Sequence, residues 1–146
     1  MIHVESNFLI PQEVLERSAR AALAHESETG ELSIVLTGDS RLQELNREYL
    51  GIDAPTDVLS FPASETDPQT GARYIGDILI SIPRARQQAE AAGHPLESEV
   101  QLLVVHGILH LLGYDHAEAE EKTRMWKAQA EILDFLGLGN IQLRED

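Results

Sequence analysis

Apolar residues recur along this chain with two different periods. Between Gln12 and about His25, Val14, Leu15, Ala19, Ala22 and Leu23 fall at helical spacing, and Pro11 suits a first helical position. Gly30 breaks the pattern, and Glu31–Thr37 (ELSIVLT) is a run of β-formers. Asp39 or Ser40 would cap a second helix whose apolar face holds Leu42, Leu45, Tyr49 and Leu50. After Gly51, the stretch Asp53-Ala54-Pro55-Thr56-Asp57 reads as a turn into a short strand, Val58–Phe61, stopped by Pro62. A polar loop over 63–73 leads to a strand at Tyr74–Ile82. Three helices follow, from Pro83 to about Ala92, over Pro95–Leu112, and over Ala117–Leu136. With a short strand at Ile2–Glu5, the order is β-α-β-α-β-β-α-α-α. That order predicts an α+β fold, a small mixed sheet of about four strands covered by about five helices. No repeat or linker divides the chain, so one domain is expected over residues 1–146.

Composition narrows the chemistry. There is no cysteine, which excludes a disulfide scaffold, a Cys-ligated zinc finger, an iron–sulfur site and a thiol nucleophile. Eleven basic residues against 25 acidic ones leave a formal charge of −14. Such a chain is repelled on average by RNA and by anionic lipid, so a polyanion partner would need a local basic patch or a metal. The N-terminus has no basic n-region, and the longest apolar stretch, near residues 102–112, is too short and too interrupted to span a membrane. A soluble, cytoplasmic protein is the expectation.

The segment Val105-His106-Gly107-Ile108-Leu109-His110-Leu111-Leu112-Gly113-Tyr114-Asp115-His116 carries the candidate chemistry. His106 and His110, four apart on a helix, project from one face one turn apart, where two nitrogens can meet one tetrahedral ion. Gly113 can turn the chain back so that His116 supplies a third nitrogen, leaving a fourth position open for water as in catalytic zinc sites. The plain alternative is a pair of hydrogen-bonded core histidines. With 6 His in 146 residues, partners at both +4 and +10 arise by chance for about 0.2% of histidines, which favours the ion. The surrounding Val100, Leu102, Leu103, Val104, Ile108, Leu109 and Leu111 favour it too, because buried imidazoles need strong partners. Three imidazoles would also suit nickel, cobalt or copper. The spacing H-x-x-x-H-x-x-G-x-x-H is that of metzincin proteases, but Gly107 stands where those enzymes carry their glutamate base.

The same segment resembles the YbeY family of bacterial endoribonucleases, also described as rRNA maturation factors. The likeness extends to Leu45-Asn46, Tyr49, Pro55-Thr56-Asp57-Val58-Leu59-Ser60-Phe61-Pro62, Gly76-Asp77-Ile78 and Ile80-Ser81. It implies a single zinc ion held by His106, His110 and His116, in a cleft formed by the 95–112 helix and the turn after it. It also implies action on rRNA of the small ribosomal subunit, with a small-subunit ribosomal protein and the GTPase Era as partners. In that family the tyrosine matching Tyr49 is usually followed by an arginine thought to contact phosphate. Here the position is Leu50. Arg47 and Arg73 are candidate substitutes.

Roles for the remaining groups follow from their types. His110 and Asp115 are the candidate catalytic residues, Asp115 as general base or as the acceptor that orients an imidazole. Asp57 and Asp77 are alternatives for either task, or cap turns. Tyr114 would donate to substrate or pack, and Ser60 and Trp126 are expected to be a strand residue and a core residue. Arg84, Arg86, Lys122, Arg124 and Lys127 could form a phosphate track or a solvated surface. His3, His25 and His94 receive no role. The leading reading is a zinc-dependent, single-strand-specific endoribonuclease in small-subunit rRNA maturation and ribosome quality control. The alternatives are a metal-stabilised ribosome-assembly factor with little catalysis and, less compatible with Gly107, a metallopeptidase.

Overall fold

The computed structural model describes residues 2–6, 8, 10–63, 65–114 and 118–139. Its elements run β1 (Ile2–Ser6), α1 (Gln12–His25), β2 (Glu31–Thr37), α2 (Asp39–Leu50), β3 (Val58–Pro62), β4 (Tyr74–Ser81), α3 (Ile82–Ala92), α4 (Leu96–Leu111) and α5 (Ala119–Phe135). Five helices and four strands match the order read from the pattern. The sheet order is β1-β2-β4-β3. β1, β2 and β4 are parallel, and β3 lies antiparallel along one edge of β4. Parallel neighbours need crossovers, which α1 supplies between β1 and β2, and the α2–β3 segment between β2 and β4.

Strand β2 alternates strictly, burying Leu32, Ile34 and Leu36 while Ser33, Val35 and Thr37 face the other way. The buried set joins Ile78 and Ile80 of β4 against α1 and α4. Helix α4 is the centre of the molecule. Ten successive residues, Glu99 to Ile108, are buried except His106, and the helix touches α1, α3, α5, β3 and β4. Each fully buried Val, Leu or Ile side chain contributes about 1.5–3 kcal/mol, so α4 is held by its surroundings rather than by an amphipathic stripe. The other face of the sheet is covered by α2 through a smaller cluster of Leu42, Leu59 and Leu79.

Two sequence expectations for α2 are corrected. Asp39 does not cap the helix, because Gly38 occupies that position without a side-chain bond. Asp39 instead accepts from Ser81 Oγ at 3.1 Å and pairs with Arg84 at 3.2 Å, fastening α2 to the start of α3. Tyr49 and Leu50 are not on the buried face; they are 63% and 59% exposed. Leu42 and Leu45 meet the sheet cluster, while Tyr49 reaches just its rim through Phe61, because the last turn of α2 runs to the edge of that cluster. Pro11 likewise sits one place before the helix, at the N-cap of α1.

Candidate metal centre

The site is built on the C-terminal half of α4. Leu112, Gly113 and Tyr114 turn the chain away from the helix: Gly113 takes φ 102°, and the Tyr114 N–H donates to Leu109 O at 3.0 Å. This closure, open to glycine but strained for a side chain, swings the Tyr114 carbonyl under His110. His110 Nδ1 lies 3.1 Å from that carbonyl. His106 Nδ1 lies 2.8 Å from Oε1 of Gln129 on α5. With both partners accepting, both rings carry their proton on Nδ1, the tautomer that metal-ligating histidines adopt. The two Nε2 atoms then bear lone pairs, and they face each other at 3.1 Å.

Two neutral imidazoles in that arrangement repel unless a cation or a proton lies between them. Two ligand bonds of about 2.0–2.1 Å at a tetrahedral angle would span about 3.3–3.4 Å, close to the separation seen. The donor set therefore fits a borderline-soft ion such as zinc, and the acceptors on both Nδ1 atoms are the kind that hold metal-ligating histidines in orientation. The expected third ligand, His116, and the candidate base Asp115 lie outside the described residues. Among the described residues no third ligand joins the pair.

Gln129 was not singled out in the sequence. It is 2% exposed and lies between Met125, Ala128, Ile132 and Leu133 on the buried stripe of α5. An amide in an otherwise apolar stripe was the available signal. Trp126, from the same helix, packs against the core and sets its ring 5.7 Å from that of His106.

Gly107 has a steric reason. A Cβ there would stand 3.0 Å from Ile78 Cγ2 and 3.2 Å from Ser60 Oγ, so this glycine lets α4 settle onto β3 and β4. Ser60 Oγ donates to the Gly107 carbonyl at 3.1 Å and ties the edge strand to the helix beside His106. Position 107 thus faces the sheet. A glutamate there would enter the core rather than serve as a base, which removes the protease reading on geometric as well as chemical grounds.

His106 and His110 open into a cleft of about 640 Å³, walled by Tyr49 and Leu50 from α2 and by residues 56–62 from the turn and β3. Tyr49 meets Phe61 edge-on, with ring centroids 5.4 Å apart. The loop behind this wall is held by Asn46 Nδ2, which donates to the Ala54 carbonyl at 3.0 Å. Asp57 is in the cleft wall, and its Oδ1 accepts the Val58 N–H at 2.8 Å, the turn-capping role. Asp77 is not in the cleft wall. It lines a groove with Glu5 and Ser33 and accepts from Tyr74, whose phenol is raised above 10.0 by burial and then by that bond.

The described lining of the cleft contains no lysine or arginine. Neither expected substitute for a cleft arginine is there: Arg73 pairs with Glu28 at 3.4 Å, and Arg47 is exposed in the last turn of α2 outside the lining. Arg84 is engaged by Asp39, which takes it out of the expected phosphate track. Burial, and then the neighbouring Glu26 carboxylate, hold the Tyr114 phenol above its ordinary ionisation range. Glu26 is also held by His25 at 2.7 Å, and His25 lies 3.5 Å from Glu131. His94 pairs with the fully buried Glu99 at 2.7 Å.

The structure is thus a small α+β domain with two paired imidazoles on its central helix, open to a cleft along an antiparallel edge strand. Comparison with known proteins sharpens this. The family model described as endoribonuclease YbeY matches residues 3–137. The chain is 45% identical over 135 residues to the endoribonuclease YbeY of Halalkalibacterium halodurans, covering 87% of this chain and 84% of that protein. It is 50% identical over 105 residues to that of Persephonella marina, covering 71% and 69%. A Thermotoga maritima protein solved in solution superposes with a TM-score of 0.61 at 25% identity, over 99% of this chain and 97% of that one. The chain belongs to the endoribonuclease YbeY family, a family of RNA-cutting hydrolases. Among the described residues no helix is long and apolar enough to cross a membrane.

Proposed function

We propose that the protein is a zinc-dependent endoribonuclease that cuts single-stranded RNA during small-subunit rRNA maturation and ribosome quality control. The observation that carries this reading is the pair of Nε2 atoms 3.1 Å apart, each ring fixed through Nδ1, at the wall of an open cleft. His106, His110 and His116 would hold the ion. Zinc in that position supplies Lewis acidity toward water and a phosphoryl oxygen. Gln129 and the Tyr114 carbonyl keep the two rings turned toward the cleft, and the exposed ring of Tyr49 offers a face on which an unpaired base can stack. His110 and Asp115 are the proposed catalytic residues.

A cytoplasmic setting and recruitment by the small subunit, through a ribosomal protein and the GTPase Era, complete the proposal. The charge of −14 and a described cleft lining without cations support recruitment by partners over capture of free RNA. The same two observations favour a second reading, an assembly factor with little catalysis. The test is metal analysis of protein purified without a histidine tag, followed by digestion of a small-subunit rRNA fragment by native protein and by His110→Ala. Stoichiometric zinc with cleavage that His110→Ala abolishes is expected. Zinc-loaded native protein that leaves the fragment intact overturns the nuclease reading and leaves the assembly factor.

A further inference from the structure

The outer edge of β3 runs along the cleft, and its hydrogen-bonding phase can be read from the ends of the ladder. The Ser81 N–H donates to Asp57 O at 2.9 Å, and the Ala63 N–H donates to Ile75 O at 2.9 Å. The register between them is unbroken, Val58 opposite Ile80 through Pro62 opposite Gly76. In an antiparallel pair such bonds alternate, so residues 57, 59, 61 and 63 turn their main-chain groups toward β4. Val58, Ser60 and Pro62 turn theirs outward. Of these three, the Val58 N–H is taken by the Asp57 carboxylate at 2.8 Å, and Pro62 has none to give. Ser60 is left as the one outward main-chain donor of β3, in the cleft wall that also holds His106 and His110. Its hydroxyl is already committed to Gly107 O.

We propose that the Ser60 main-chain N–H is a phosphate anchor, donating to a non-bridging oxygen of the RNA backbone beside the histidine pair. The inference rests on the nuclease reading and names how this cleft holds its substrate. A lone donor suits a point-like acceptor. A peptide strand adding to this edge would need successive donors, which the Asp57 cap and Pro62 remove. With no lysine or arginine in the described lining, a neutral main-chain donor takes the place such a side chain would fill.

Proline tests this directly, because on an edge strand with its nitrogen outward it deletes the donor without breaking the ladder. Ser60→Pro is compared with Ser60→Ala, since both lose the hydroxyl and only the first loses the N–H. The probe is a 2′-O-methyl single-stranded oligonucleotide, verified intact by gel after each titration, bound to zinc-loaded full-length protein and followed by fluorescence anisotropy. Ser60→Pro should bind about tenfold more weakly than Ser60→Ala, the loss of one hydrogen bond to a charged acceptor. In native protein, amide exchange followed by NMR should slow at Ser60 when the oligonucleotide binds, a readout that holds even if the proline variant does not fold. Equal affinity of two folded variants, unchanged Ser60 exchange in the bound native protein, or protection by an unstructured peptide instead would each overturn the anchor. Native protein that neither binds the oligonucleotide nor cuts RNA overturns the nuclease reading, and the anchor with it.

Discussion

Replacing Gln129 by leucine asks whether α5 orients the metal centre or merely packs against it. Leucine keeps nearly the same volume in a position that is 2% exposed, so the stripe of Met125, Ala128, Ile132 and Leu133 stays filled. What disappears is the acceptor 2.8 Å from His106 Nδ1. Without it the ring is free to take the other tautomer, and a buried N–H is left unpaired at about 1–3 kcal/mol. Loss of an outer acceptor typically weakens metal affinity 10–100-fold, about 1.4–2.7 kcal/mol. Zinc affinity should therefore fall by at least about tenfold in competition with a chromophoric chelator. Unfolding in excess chelator should show an apo protein destabilised by about 1–3 kcal/mol. Gln129→Glu provides the opposite perturbation: a carboxylate strengthens the hold on the Nδ1 proton, so affinity should rise while the apo form, now burying a charge, loses stability. A Gln129→Leu protein that binds zinc within twofold of native would refute the reasoning, whatever its stability.

Three further outcomes are expected. Gly107→Glu should not create a protease; the side chain would be driven against Ile78 and Ser60, costing more than about 3 kcal/mol in urea unfolding, beyond ordinary overpacking because a charge is buried as well. Leu50→Arg adds a cation to the cleft wall, so RNA affinity should rise at low salt and the slope of log K against log salt should steepen by about one. Tyr74 and Tyr114 both hold their protons above the ordinary value of 10.0. The folded state therefore binds more protons than the unfolded one above that pH, and the stability this gives is fully present below pH 10 and lost as pH rises through the shifted values. Urea midpoints measured on either side of pH 10 should drop on the alkaline side, and less so in Tyr74→Phe.

Secondary structure was legible because each segment carries one clear period. The alternation in Glu31–Thr37 and the run that Pro83 starts and Gly93 ends map onto β2 and α3 within a residue. Tyr49 and Leu50 misled because a helical period says which residues share a face, not where the supporting sheet ends. The H-x-x-x-H spacing placed two imidazoles together correctly, since that geometry is local to one helix. The acceptor that orients His106 was out of reach: Gln129 is 23 residues away, and only the packing of α5 on α4 joins them. Asp57 and Asp77 look alike beside strand ends, yet they part company in space because successive strand positions and the fold of the sheet send them to different grooves.

That dependence on α5 has a consequence for a chain made from its N-terminus. His106 and His110 leave the ribosome well before Gln129 does, and α4 has no cover on that side until the last helix arrives. Domains of this size fold as units, so His106 acquires its fixed orientation only with α5 in place, whereas the partner of His110 lies in the turn at Tyr114. A chain that stops short of α5 therefore lacks the acceptor that holds His106.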